Sequence, residues 1–210
     1  MAEVALDLVV LTPGEAESWV VEALLSQRHV SLGIRRIRFR VLKHRRHDPG
    51  CFRESVQFLR DYQLSARHAL VLFDHEGSGK EATSALEVAS DVRGRLAAAG
   101  WADRADAVVL VPELEVWVWS DSPELDRALG WPVRGVQLRD WLCERGWLAP
   151  GEAKPRRPKE ALETALDLSR FPRSADLYEK IALTVGLNRC TDPSFLTFKS
   201  IITRWFGEAP

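Results

Sequence analysis

Two acidic residues with the spacing of a metal site follow a short apolar segment near the middle of the chain. Residues 69–73 (ALVLF) are too few for a helix and end at a turn signal, so they are predicted to form a buried strand. The segment leads into Asp74, His75 and Glu76. Carboxylates at a strand end suit Mg²⁺, which accepts a few of them and keeps some of its water. The alternative is that Asp74 and Glu76 only begin a solvated loop.

Further acids follow two other predicted strands. Glu15 comes shortly after residues 4–11, and Glu113 and Glu115 come after residues 106–111. Carboxylates from separate strands can hold Mg²⁺ or Mn²⁺, which stabilises charge on phosphate and lowers the pKa of attacking water. A second role is open for these three glutamates, because acids also stabilise the N-terminus of a helix. The candidate catalytic residues are Glu15, Asp74 and Glu76, and the candidate metal ligands are Asp74, Glu76, Glu113 and Glu115.

Basic residues supply candidates for phosphate binding. Residues 34–42 (IRRIRFRVL) alternate between apolar and basic side chains, which predicts a strand with Arg38 and Arg40 on one face. Such a face can bind phosphate groups, or it can protect a solvated edge strand from aggregation. Lys159 is a third candidate for the same phosphate, with an ordinary surface lysine as the alternative. The candidate phosphate-binding residues are Arg38, Arg40 and Lys159.

Composition limits the classes of protein. The formal net charge of −1 argues against an overall basic nucleic-acid binder, so a nucleic-acid partner requires a local patch. No apolar segment reaches the length of a membrane span, so we expect a cytoplasmic protein with no membrane partner. The eight tryptophans cluster after position 100. Most of them are expected in the core or at an interface, and any of Trp117, Trp119, Trp141 or Trp147 that is exposed would favour association with another protein.

The order of the predicted elements indicates the fold class. Three strand-then-helix units in succession predict an α/β fold with a mainly parallel sheet flanked by helices. Beyond Trp131 the chain reads as helices only, at residues 136–143, 158–168, 174–185 and 193–206. We therefore expect an α/β domain at residues 1–130 and a helical region at residues 131–210 packed on it.

Three familiar motifs are absent from the sequence. Gly79-Lys80 is followed by Glu81 rather than Ser or Thr, and Asp74 stands where a P-loop has its first glycine. No G-x-G-x-x-G follows the first strand, so a dinucleotide cofactor is not expected. No G-x-S-x-G elbow is present either.

The arrangement of acids resembles the TOPRIM fold of topoisomerases, primases and OLD-type nucleases. That fold places a glutamate in the turn after one strand and Asp-x-Asp or Asp-x-Glu after another. The segment VPELEVWVWS (residues 111–120) is similar to a signature of small TOPRIM-like proteins of bacterial defence loci. The pieces RPKEALE, PRSADLYEKIA and RCTDPSF resemble a component of methylation-associated anti-phage defence systems. The resemblance makes Glu15 the conserved glutamate of the fold and Asp74 with Glu76 its paired acids. The chain has Gly14-Glu15 in place of Glu-Gly, and Glu76 in place of an aspartate.

The resemblance and the acids at the strand ends favour a Mg²⁺-dependent nuclease of TOPRIM type that acts in anti-phage defence. The tryptophan-rich second half and the near-neutral charge favour an alternative, a non-catalytic subunit that docks to a larger defence nuclease, methyltransferase or ATPase. A third alternative is a small-nucleotide phosphatase or sensor that uses the same acids. The candidate partners are nucleic acid, other defence-system proteins and a second copy of the chain in a homodimer.

Overall fold

Four parallel strands form the centre of the molecule. The computed structural model describes residues 5–119, 122–131 and 135–207. The strands are β1 (Leu6–Thr12), β2 (Phe39–Lys43), β3 (Ala66–Asp74) and β4 (Ala105–Leu110). They pair in the order β2-β1-β3-β4, and every pair is parallel. The α/β fold class predicted from the sequence is therefore confirmed.

Helices cover both faces of this sheet. The ten α-helices of the described residues are α1 (Glu15–Gln27), α2 (His29–Leu32), α3 (His47–Leu59), α4 (Ala85–Leu96), α5 (Glu115–Val118), α6 (Pro123–Ala128), α7 (Leu138–Glu144), α8 (Pro158–Ser169), α9 (Ala175–Thr184) and α10 (Pro193–Phe206). One core joins α1 and the C-terminal helices to the face of the sheet that carries Leu8, Val10 and Leu70. The other core joins α3 and α4 to the opposite face, which carries Val9, Leu11 and Val71.

The chain reverses its direction across the sheet at β1. It passes from β1 to β2 through α1, and then returns across β1 to β3 and on to β4 through α3 and α4. Right-handed crossovers put α1 on one face and α3 with α4 on the other, as observed. The crevice between β1 and β3, at their carboxyl ends, is thus a topological switch point, where open α/β sheets bind ligands.

Local signals explain which helix boundaries were predictable. Helix α10 begins at Pro193 as predicted, because Asp192 accepts a hydrogen bond from the backbone N–H of Ser194 and proline fits the first turn. Helix α4 begins at Ala85. Ser84 and Glu87 form a capping box that sets its start.

The second strand is shorter than the alternating pattern predicts. Residues 35–38 are irregular, and only Phe39–Lys43 pairs with β1. Tertiary contacts with the end of α10 displace the preceding segment, since Ile34 forms an antiparallel bridge with Gly207 and Arg35 N–H donates to the Phe206 carbonyl. Val4, the predicted start of the first strand, lies outside the described residues.

The tryptophans after position 100 are largely core residues. Trp101, Trp117, Trp119 and Trp131 are buried. The indole N–H of Trp117 donates to Ser194 Oγ at 2.7 Å, and that of Trp119 donates to the Pro158 carbonyl at 2.9 Å. Trp117 and Trp119 are therefore not exposed docking residues, and Trp141 and Trp147 are partly buried against the same core. None of the helices in the described ranges has both the length and the apolar character needed to cross a lipid bilayer.

Candidate functional site

Five carboxyl groups converge at the carboxyl end of the sheet, and we call them the acid cluster. They come from the end of β3, the segment after β4 and the first turns of α1 and α3, which the parallel topology brings to this end of the sheet. Their mutual repulsion is felt at Asp74, the last residue of β3, whose pKa the other four raise. The members of the acid cluster are Glu17, Asp48, Asp74, Glu113 and Glu115.

Asp74 lies at the centre of the acid cluster. Burial raises the pKa of its carboxyl well above the ordinary value, and the four neighbouring acids raise it further. Its Oδ1 atom is fully buried and has no hydrogen-bond partner among the described residues. An unpaired buried carboxylate oxygen is costly, so this atom requires a proton or a cation.

Glu17, rather than Glu15, extends into the acid cluster from α1. The two residues are separated by about 200° around a helix of 3.6 residues per turn, so they point in nearly opposite directions. Glu15 is exposed and forms an ion pair with Lys43 at 2.9 Å, which lowers the pKa of its carboxyl. Burial, followed by the charges of Asp48 and Glu115, raises the pKa of Glu17 to about 7. The structure therefore places Glu17 where the sequence analysis expected Glu15.

Asp48 is a member of the acid cluster that the sequence analysis did not select. It lies in the first turn of α3, and its Oδ1 accepts a 2.9 Å hydrogen bond from the backbone N–H of Asp74. Burial raises the pKa of its carboxyl, and the bond from Asp74 opposes that rise. Asp48 could have been selected from its position at the start of the helix that follows β2, because helices that follow parallel strands all begin at the same end of the sheet.

The C-terminal half of the chain supplies the cations that contact the acids. Lys159 in α8 contacts Glu113, with its Nζ atom 2.8 Å from Oε2. The pKa of Glu113 is nevertheless raised, because burial and the nearby Glu115 and Glu76 outweigh the lysine, while the Glu113 carboxylate raises the pKa of Lys159. Lys159 is thus the one predicted phosphate ligand that the structure brings to the acids.

Glu115 is held by a separate network. Arg173 Nη2 lies 2.8 Å from its Oε1 atom, and the hydroxyl of Tyr178 donates to the same oxygen at 2.5 Å. The Glu115 residue is only 3% exposed. These bonds fix the Glu115 carboxylate beside Asp74.

Glu76, Arg38 and Arg40 do not join the acid cluster. Strand β3 ends at Asp74, so the alternation that would align Glu76 with it stops there, and Glu76 is exposed. Its charge is felt at Glu113. Arg38 lies next to Asp7 at the opposite end of the strands. Arg40 lies on the edge strand β2 and donates to the Tyr62 hydroxyl at 3.5 Å.

The loop after β3 that contains Gly77 and Gly79 does not resemble a phosphate-binding loop. The backbone N–H groups of four of its residues already donate within the protein: Glu76 to Pro112, Ser78 to His75, Gly79 to Glu81, and Lys80 to Ser78. Gly77 and Gly79 have φ values of 83° and 76°, which glycine adopts without strain. The loop therefore stabilises the turn that follows Asp74.

The acid cluster suits a hard divalent cation such as Mg²⁺ or Mn²⁺ in the chemistry of its donors. Among the described residues, the ion pairs of the acid cluster are those of Glu113 with Lys159 and of Glu115 with Arg173, and Asp74 Oδ1 lacks a partner. No group of three or more His, Cys, Asp or Glu in those ranges is already arranged as a metal site. Mg²⁺ commonly uses one or two protein carboxylates, with water and substrate phosphate as its remaining ligands. We expect Asp74 and Glu113 to be those carboxylates.

Comparison with known proteins gives no assignment. The chain matches no protein-family model, no curated protein and no solved structure.

Proposed function

We propose that this chain is a divalent-metal-dependent phosphodiesterase that cleaves nucleic acid as a component of a bacterial anti-phage defence system. The observation that supports the chemistry is Asp74, whose unpaired, buried carboxyl oxygen lies among four other acids at the switch point of the sheet. The link to defence follows from the resemblance of residues 111–120 and of three C-terminal segments to small TOPRIM-like proteins. In this proposal Glu17 has the role that the resemblance assigned to Glu15.

The residues at the acid cluster have different roles in this proposal. Asp74 and Glu113 would hold the cation, which when bound would neutralise phosphate charge and lower the pKa of water. Glu17 has no ion-pair partner among the described residues, and it would accept the proton of the attacking water. Lys159 would donate to a phosphate oxygen. Arg173 and Tyr178 hold Glu115 in place, so its charge attracts the cation without binding it.

The alternative function is a non-catalytic subunit that docks to a larger defence protein. The tryptophan-rich second half and the near-neutral charge favour it, but Trp117 and Trp119 are buried and Trp141 and Trp147 are partly buried. A cluster of acids that serves no ligand would also be a large cost to the folded state. The catalytic proposal is therefore preferred.

Metal titration tests the proposal. We expect Mg²⁺ and Mn²⁺ to bind wild type and Glu15→Gln with the same affinity, because Glu15 is exposed and paired with Lys43. Asp74→Asn removes a charge at the centre of the acid cluster, and we expect it to weaken binding at least about tenfold. The measurement is isothermal titration calorimetry at pH 8, with a short non-cleavable phosphorothioate oligonucleotide present. Equal binding by wild type and Asp74→Asn would contradict the proposal.

A further inference from the structure

Arginines are concentrated at the amino ends of the strands, on the edge opposite the acid cluster. In a first group, Asp7 is 6% exposed and accepts hydrogen bonds from Arg35 Nη2 at 3.0 Å and from the backbone N–H of Arg38 at 2.8 Å. Arg67 Nε lies 3.9 Å from Asp7, and Arg36 is exposed beside it. The buried aspartate fixes one side of this group, while the guanidinium groups remain largely exposed.

A second group is built in the same way on the neighbouring strands. Asp106 in β4 is also 6% exposed, and Arg204 Nη2 lies 2.7 Å from its Oδ2 atom. Arg93 Nη1 lies 3.7 Å from Oδ1 of the same carboxylate. Both arginine side chains are more than half exposed. Arg104 completes this group and donates to the carbonyls of Ala66 and Arg67.

The two groups form one surface, which we call the arginine strip. Arg104 of the second group donates from Nη1 to the backbone carbonyl of Arg67 of the first group at 3.2 Å, so the two groups meet at the amino end of β3. Four strands at about 4.8 Å spacing make the strip about 14 Å long, enough for successive phosphates of a nucleic-acid backbone. Seven arginines face three acids along it, although the whole chain has a net charge of −1. The arginines are Arg35, Arg36, Arg38 and Arg67 in the first group and Arg93, Arg104 and Arg204 in the second; the acids are Asp7, Asp103 and Asp106.

We infer that the arginine strip binds the phosphodiester backbone of nucleic acid, as a second surface separate from the acid cluster. Anchored guanidinium groups with exposed edges suit phosphate oxygens, which they bind with two parallel hydrogen bonds. An extended row of such groups fits a polyanion better than a single phosphate. Arg67 and Asp74 are seven residues apart along β3, about 23 Å, so the strip does not bind the phosphate that the acid cluster would cleave. Its binding requires no metal ion.

The test removes three charges from the arginine strip without exposing a buried acid. In the triple variant Arg36→Gln, Arg67→Gln, Arg93→Gln, Asp7 keeps Arg35 and Asp106 keeps Arg204, which are their closer partners. The control variant Arg45→Gln, Arg156→Gln, Arg157→Gln removes three exposed arginines elsewhere. Binding of labelled duplex DNA, single-stranded DNA and duplex RNA is measured by fluorescence anisotropy in EDTA at several salt concentrations.

We expect wild type and the control variant to bind at least one of the three probes. The strip variant should bind that probe at least about tenfold more weakly, and for duplex DNA its slope of log affinity against log salt should be shallower by about 3. The probes are bound in EDTA, where the proposed metal-dependent cleavage does not occur, so this result is independent of the proposed catalysis. No binding of any probe by wild type would overturn the inference, and so would equal weakening by the two triple variants.

Discussion

Glu17→Gln should lower metal-dependent cleavage of nucleic acid at least about 100-fold. A positioned general base contributes about 10² to 10⁴ to a rate, and glutamine cannot accept the proton. Glu17 is the acid of α1 that extends into the acid cluster, and burial there holds its pKa at about 7. The rate is measured at pH 8 in Mg²⁺ with supercoiled plasmid, single-stranded DNA and RNA as substrates.

Glu15→Gln is the matched control, because it makes the same chemical change two residues away. Glu15 is exposed and paired with Lys43, so this variant should keep the wild-type rate within about twofold. The opposite result, with Glu15→Gln inactive and Glu17→Gln active, would restore the role that the sequence resemblance gave to Glu15. It would also contradict our assignment of the base.

The same Glu17→Gln change should stabilise the metal-free protein at pH 8 by about 2 to 3 kcal/mol. The pKa of this carboxyl is about 7 in the folded chain and about 4.5 when unfolded. Between these values the folded state keeps the proton that the unfolded state releases, so the free energy of unfolding falls as pH rises. Above pH 7 this loss of unfolding free energy is complete. The difference of about 2.5 pKa units between the two states corresponds to roughly 3 kcal/mol. Glutamine has no charge to desolvate.

Urea unfolding in EDTA at pH 4.5 and pH 8 measures this effect. The gap in stability between Glu17→Gln and wild type should be about 0.5 kcal/mol or less at pH 4.5 and should widen to its full size at pH 8. Glu15→Gln should not show this widening. A gap that is constant across this range would mean that Glu17 ionises normally and is not buried among other acids.

An increase in stability together with a loss of activity would identify the acid cluster as a functional site. Acids held close together without cations destabilise a fold, and such a cost is typical of sites retained for chemistry. If Glu17 had a structural role, Glu17→Gln would instead lower the stability, because removing a structural acid leaves its partners unpaired. The cleavage rate and the stability of Glu17→Gln together therefore distinguish a functional role of Glu17 from a structural one.

Most of the fold could be predicted from local sequence signals. Apolar segments of strand length indicated β1, β3 and β4, and the cap at Asp192-Pro193 indicated α10. The start of β2 could not be predicted, because residues 34 and 35 contact the end of α10, more than 170 positions away. Contacts at that separation have no signal in a local pattern.

The candidate site was predictable only in part. Asp74 and Glu113 were found because strand ends share an edge in a parallel sheet. The choice between Glu15 and Glu17 depends on the rotation of α1, which only its packing on the sheet determines. Asp48 joins the site through the crossover of α3, and the bond from Arg173 to Glu115 spans 58 positions. These pairings are products of the tertiary structure.

The C-terminal helices belong to the site as well as to the core. Lys159, Arg173 and Tyr178 contact the acids that follow β4, and helices of this half share one hydrophobic core with α1 and the sheet. A division at residue 130 therefore separates the acids from the cations that neutralise them. The catalytic unit that we propose therefore includes Lys159, Arg173 and Tyr178.

The most direct measurement is cleavage of nucleic acid by wild type and Asp74→Asn side by side in Mg²⁺, Mn²⁺ and EDTA. We predict cleavage by wild type that requires the metal, and no cleavage above the EDTA background by Asp74→Asn. The variant should remain folded, because asparagine removes a buried charge and preserves the shape of the side chain. Cleavage by a folded Asp74→Asn at the wild-type rate would contradict the account, and so would the absence of cleavage by wild type on DNA and RNA with either metal.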